Sequence, residues 1–104
     1  MYRSRLATKE FLKNAASILS PEQNRAINSI MQRIGQGNLK GQCLVIPWLW
    51  EVKLPSKRLY YVVQGGNAIF VSASTKNEQA IFIKHLIRQK EQLLTLAERI
   101  TRNE

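Results

Sequence analysis

The stretch Leu49-Trp50-Glu51-Val52-Lys53-Leu54-Pro55-Ser56-Lys57-Arg58-Leu59-Tyr60-Tyr61-Val62-Val63-Gln64 decides the fold. Trp50, Val52 and Leu54 alternate with Glu51 and Lys53, the period of two that a strand imposes. Pro55-Ser56-Lys57 reads as a turn, because proline presets φ and cannot donate to a ladder. Arg58 to Gln64 is rich in Tyr and Val, which fit a pleated surface. Gly65-Gly66-Asn67 is a second hairpin signal, and Ala68 to Ala73 is the strand that follows it. Upstream, Cys43 to Ile46 is a β-like apolar run that Pro47 interrupts, so an edge or a bend is expected there. Three or four consecutive strands with such short connections imply an antiparallel meander.

Helices are expected on both sides of this meander. Tyr2 to Ala7 reads as a short strand, after which the Thr8 hydroxyl can cap a helix. Phe11, Leu12, Ala15 and Leu19 follow at helical spacing. Ser20-Pro21-Glu22-Gln23 is a stronger start, with an N-cap, a proline at the first helical position and a capping-box glutamine. Ile27, Ile30, Met31 and Ile34 share one face, and Gly35 and Gly37 supply a stop. The pair forms a helical hairpin joined at Ser20. Thr75-Lys76-Asn77-Glu78 looks like another capping box, and no Gly or Pro follows it. One continuous helix of about 27 residues would be about 40 Å long. A domain of this size has a radius of gyration of about 13 Å, so the helix either bends near Gln89 or projects its end onto a partner. The expected fold is α+β, a single domain over residues 1–104 in the order β-α-α-β-β-β-α, ending in a long C-terminal helix.

Charge is the most informative bulk property. Sixteen Lys and Arg against seven Asp and Glu give +9, which attracts polyanions. Nucleic acid, an acidic protein and an anionic membrane all qualify. No apolar run approaches the roughly 20 residues of a transmembrane helix, and Arg3, Arg5, Lys9, Glu10 and Lys13 interrupt any leader core. The single Cys43 forms no internal disulfide and is expected as a buried, inert thiol. A cytoplasmic, non-membrane location is the expectation. The acids are scattered and there is one His, so no metal site and no cofactor is expected.

The element order, together with four local segments, resembles the RelE/ParE superfamily of type II toxin–antitoxin toxins. Gly37-Asn38-Leu39-Lys40-Gly41 resembles the small-residue segment closing the second helix. Leu49 to Leu54 resembles the family strand reading aromatic, any residue, hydrophobic, basic, hydrophobic. Lys57-Arg58-Leu59-Tyr60-Tyr61-Val62-Val63 resembles its most distinctive block. Ile69 to Glu78 resembles the last strand running into a basic segment. The resemblance implies a toxin that inhibits translation as a ribosome-dependent mRNA endonuclease. The partners it implies are mRNA, the ribosome and an acidic antitoxin. A homo- or hetero-oligomer through the C-terminal helix is also expected. The alternatives are a ParE-like inhibitor that binds DNA gyrase without cleaving RNA, and an inert basic nucleic-acid-binding domain. Carried over by position, Arg58 matches the Arg opening the third strand. Glu51 and Lys53 match active-face positions of the preceding strand, and Lys76 the basic residue after the last strand. The sequence departs from the nuclease branch at Glu51, where Lys is common, and in lacking that branch's Tyr or His near the C-terminus.

Metal-independent RNA cleavage needs a base for the 2′-OH, a cation for the phosphorane and an acid for the 5′-oxygen. Glu51 and Lys53, two apart in a strand, point to one face. Arg58 could lie beside them across the turn and grip a phosphate with both arms of its fork. Glu51 is the candidate base and Lys53 a second proton-transfer group, with Arg58 and Lys76 completing the catalytic set. The competing reading is a cross-strand ion pair on a solvated face, contributing a few tenths of a kcal/mol, or about 0.3–1. Lys57, Lys40, Tyr60 and Tyr61 are the candidate RNA-binding residues. The adjacent tyrosines face opposite sides, one into the core and the other available to stack on a base. Trp48 and Trp50 are expected to share a face in the core, and His85 to belong to the last helix.

Overall fold

The computed structural model describes residues 5–36, 41–44, 48–64 and 66–102. The chain is α+β. A short strand β1 (Arg5–Ala7) leads into helices α1 (Lys9–Ile18) and α2 (Pro21–Gly35). Strands β2 (Gln42–Cys43), β3 (Leu49–Leu54), β4 (Lys57–Gln64) and β5 (Asn67–Thr75) follow. A single 3-10 turn (Lys76–Glu78) opens into α3 (Gln79–Arg88) and α4 (Lys90–Arg102). The sheet order is β1-β5-β4-β3-β2. Neighbours from β2 to β5 pair antiparallel, whereas β1 lies parallel to β5 with Leu6 opposite Ile69. The order adds to the expected one a two-residue edge strand, β2, which overlaps the start of the apolar run at Cys43, and the last helix breaks at Gln89, one of the two outcomes expected of it.

Local chemistry accounts for the helix starts. The Thr8 hydroxyl accepts from the Phe11 N–H at 3.1 Å. Ser20 and Gln23 close a reciprocal capping box, at 3.1 and 3.0 Å. Thr75 instead bonds the Glu78 carboxylate through its hydroxyl at 2.8 Å and caps no helix N–H, so a 3-10 turn forms there.

Each face of the sheet is buried under a pair of helices. On one face Val52, Leu59, Tyr61, Ala68, Phe70 and Ala73 pack under Phe11, Ala15, Leu19, Met31 and Ile34. On the other, Leu49, Tyr60, Val62, Ile69 and Val71 pack under Leu86, Leu93 and Ala97. Burying each large apolar side chain contributes about 1.5–3 kcal/mol. A register shift beside Tyr60 and Tyr61 leaves Val71 unpaired on β5. As strand neighbours the two tyrosines face opposite sides, and the bulge lies between their partners Ser72 and Phe70.

The longest dimension is 32 Å, too short for one continuous C-terminal helix of the expected length. The helix breaks at Gln89, which leaves helical geometry at φ −100°, ψ 18°. Its N–H is satisfied by the carbonyls of His85 and Leu86, and α4 turns back across the sheet. Of the apolar residues of α4 that suggested a partner, Leu93, Ala97 and Ile100 pack against the protein's own sheet, while Leu94 and Leu96 stay half-buried outside that cluster. Cys43, expected to be buried, is exposed on β2 opposite Trp50. The tryptophans do not share a face: Trp50 packs with the α1–α2 core and Trp48 with the α3–α4 core.

Candidate nucleic-acid site

The β3–β4 hairpin carries the site. Its two-residue turn, Pro55-Ser56, puts Ser56 at φ 61°, a left-handed conformation that costs a non-glycine residue about 1–2 kcal/mol. Two contacts hold it in place. Gln23 at the start of α2 donates to the Pro55 carbonyl at 2.9 Å, and the Lys76 N–H donates to the Ser56 carbonyl at 2.9 Å. The register sets Lys53 opposite Arg58, Lys57 opposite Thr75 and Arg58 opposite Ser74. Lys53, Lys57, Arg58 and Lys76 are thereby gathered at one end of the sheet. Lys53 and Lys76 are exposed and Lys57 half-buried.

Arg58 differs from the solvated strand arginine that the sequence suggests. Only 8% of it is exposed, because the α3 side of the sheet is covered. Its Nη1 donates to the carbonyls of Leu54 at 3.1 Å and Lys57 at 2.8 Å. These bonds fix the guanidinium plane. Nε is buried without a partner, and no bond to Nη2 is present among the described residues. A buried donor left unpaired costs about 1–3 kcal/mol. The Nε–Nη2 edge is one of the two-donor edges of the fork that match a carboxylate or phosphate.

Glu51 is likewise not on an open face. It is 2% exposed, and its Oε2 accepts from Gln79 Nε2 at 2.5 Å. Tyr60, opposite Glu51, is fully buried. Its hydroxyl lies 2.8 Å from Ser74 Oγ, a bond in which either oxygen can donate, and Ser74 also reaches the Thr75 carbonyl. Burial pushes the Tyr60 pKa above 10.0. The Ser74 bond opposes that rise, Glu51 adds to it, and Arg58 works against it. The phenol thus lies in the fields of both Glu51 and Arg58.

A raised phenol pKa makes the folded chain hold a proton that the unfolded chain loses near pH 10. That stability is fully present below pH about 10 and is lost as pH rises through the folded value. Thermal melts from pH about 8 to 11 should show wild type losing stability more steeply than Tyr60→Phe. Parallel curves would contradict this assignment.

Several expectations need correction. Neither tyrosine can stack on a base: Tyr60 and Tyr61 face opposite sides as expected, but both are fully buried. Tyr61 lies between Trp50, 6.0 Å away by ring centroid, and Phe70, 5.1 Å away. Its hydroxyl accepts from the Gly41 N–H at 3.2 Å. Glu51 and Lys53 do lie on one side of β3, yet only Lys53 reaches solvent. Lys40 falls outside the described residues. Sequence reading missed Ser74 and Gln79. Ser72 and Ser74, small polar residues at period two in a buried strand, carried a signal; Gln79, at a helix start, carried none.

Among the described residues, no three His, Cys, Asp or Glu side chains come together. No described helix is long and apolar enough to cross a membrane. No family model, curated protein or solved structure matches the chain. A separate cleft of about 460 Å³ opens between α1 and the α3–α4 pair, bordered by Asn14, Ser72, His85 and Leu93. None of Glu51, Lys53, Arg58 or Lys76 lines it.

Proposed function

We propose that this chain is a toxin of a type II toxin–antitoxin system, of the RelE/ParE kind, that binds and cuts mRNA without a metal ion and so inhibits translation. One observation carries the reading: Arg58 is fixed through Nη1 by two carbonyls, its Nε has no partner among the described residues, and three lysines stand beside it at one end of the sheet. The strand, helical hairpin and meander order, in a basic chain, supports the same reading.

In this mechanism the scissile phosphate sits on Arg58, whose fork follows the charge that grows on the phosphorane. Of the exposed Lys53 and Lys76, one as the neutral amine takes the proton of the attacking 2′-OH, and the other as the ammonium gives a proton to the leaving 5′-oxygen. Buried Glu51 becomes a counter-charge rather than the base. An acidic antitoxin would neutralise the same cations.

The burial of Glu51 and Tyr60 favours a second reading. A chain whose candidate base Glu51 is covered has fewer acid–base groups, as suits a ParE-like gyrase inhibitor or a non-cleaving nucleic-acid-binding domain. Induced expression with 5′-end mapping of cellular RNA separates these. New ends in mRNA support the nuclease, whereas intact RNA with halted DNA supercoiling supports the gyrase reading.

Binding should depend steeply on salt. Each phosphate neutralised on a single strand contributes a slope of about −0.7 in log K against log salt. The four cations at the site predict a slope of about −3, reduced by about 0.7 in Lys53→Ala. Affinity for a single-stranded RNA that stays flat from low to physiological salt would exclude this site as an RNA interface.

A further inference from the structure

The cleft between α1 and the α3–α4 pair has a chemistry of its own. Its lining is largely apolar: Val71 of β5, Phe82 and Leu86 of α3, and Leu93 and Leu96 of α4. Polar side chains complete it, among them Glu10 and Asn14 of α1, Gln89 at the helix break and Gln92 of α4. Asn14 donates through Nδ2 to Ser72 Oγ at 3.0 Å, which fixes its amide at the cleft wall. At about 460 Å³ the cleft falls in the range of small-molecule sites, about 300–1,000 Å³. The chain carries a net charge of +9, yet among the described residues no Lys or Arg lines this cleft, and Glu10 is its one carboxylate. Such a lining does not suit a bare phosphate. It suits a flat, uncharged body with donors and acceptors along its edge. Phe82 offers a ring, each amide can donate and accept, and Glu10 accepts from an exocyclic amine.

A second observation extends the site. Gln92 and Leu96 also line an adjoining groove, whose other residues are Arg88, Glu91, Thr95 and Arg99. Arg88 ends α3, and Arg99 stands on α4 about two turns, or about 10 Å, beyond Gln92. Both arginines are exposed, and a guanidinium fork matches phosphate oxygens. Two cations against the single carboxylate of Glu91 leave the groove cationic. We propose that the joined cleft and groove form a nucleotide-binding site: an amino-bearing base such as adenine enters the cleft against Phe82, and its phosphate meets Arg88 and Arg99 across Gln92 and Leu96. The site is independent of the Arg58 reading, since no residue of the β3–β4 hairpin lines either half. The nucleotide is either a free molecule or one unit of an RNA strand.

The test is a titration of the whole chain with 5′-AMP, adenosine and inorganic phosphate, followed in two-dimensional amide nuclear magnetic resonance spectra. AMP should move the signals of Ser72, Gln89 and Gln92 along one saturating curve, and adenosine should move the same signals with about tenfold weaker affinity, the effect of two exposed ion pairs. Arg88→Gln combined with Arg99→Gln changes only exposed groups, so the fold survives. It should bring AMP down to the affinity of adenosine and leave adenosine unchanged. Phe82→Leu keeps an apolar side chain but loses the ring, and should weaken both ligands by at least about fivefold. A short oligoadenylate that binds the cleft more tightly than AMP identifies an RNA strand as the source, and one that binds no more tightly identifies the free nucleotide; either result keeps the site. AMP shifts that never saturate, that are confined to the Lys53–Arg58 hairpin or that inorganic phosphate reproduces overturn the proposal. Equal affinities for AMP and adenosine in wild type overturn it as well. A chain that binds AMP here but never cuts RNA sinks the nuclease reading alone, and one that cuts RNA without binding AMP here sinks this site alone.

Discussion

Arg58→Lys should leave the chain folded and slow RNA cleavage by about 100- to 1000-fold, the loss seen when one aimed transition-state donor is removed. A lysine ammonium can still reach one of the two carbonyls that hold Nη1, those of Leu54 and Lys57. It cannot present a planar edge of two donors to the phosphate at the same time. Arg58→Ala is a worse probe. It leaves those carbonyls without their donor, at a cost of about 1–3 kcal/mol, so lost stability and lost chemistry would be mixed. Comparing cleavage of translated mRNA by wild type and Arg58→Lys, with circular dichroism as the folding control, checks the prediction. Cleavage by Arg58→Lys at the wild-type rate would mean that the phosphate is not held there.

Tyr61→Ala should destabilise the fold by about 3–5 kcal/mol, the range for deleting a buried aromatic ring. Tyr61 is fully buried between Trp50 and Phe70, and its hydroxyl accepts from the Gly41 N–H. The contact leaves no room for a side chain at Gly41, where a Cβ would stand 2.8 Å from the Tyr61 ring and from the Glu51 carbonyl. Losing the ring opens a cavity under α1 and α2 and removes the acceptor of the Gly41 N–H. Domains of this kind are stable by only about 5–15 kcal/mol in total, so the urea midpoint should fall sharply. A midpoint within error of wild type would contradict the packing described for that face.

The meander was legible because strand periodicity and turn chemistry agree along one stretch. Lys53 faces Arg58 because Pro55-Ser56 makes a two-residue turn, and both facts lie in the sequence within six residues of each other. The capping box at Ser20 is equally local. Burial of the second sheet face left a fainter mark in the sequence. The Val62-Val63 and Ile69-Phe70-Val71 pairs of neighbours are apolar on both sides, a pattern that marks a strand covered twice. Length alone pointed to a bend near Gln89 or a projecting end, and Arg88-Gln89-Lys90 holds no glycine or proline to decide between them. The errors at Glu51, Arg58 and Tyr60 follow from that cover, whereas Tyr61 is buried on the other face, under α1 and α2. With α3 and α4 folded across the sheet, Glu51, Arg58 and Tyr60 leave solvent together, and only the lysines remain outside.

The most direct test of the nuclease account is the chemistry of the RNA ends made by the purified protein in a translation reaction with EDTA-insensitive steps isolated. Attack by the 2′-OH with loss of the 5′-oxygen must leave a 2′,3′-cyclic phosphate on one fragment and a 5′-hydroxyl on the other. Those two ends, absent with Arg58→Lys, are the predicted result. Intact mRNA, or fragments bearing 5′-phosphates, would contradict it.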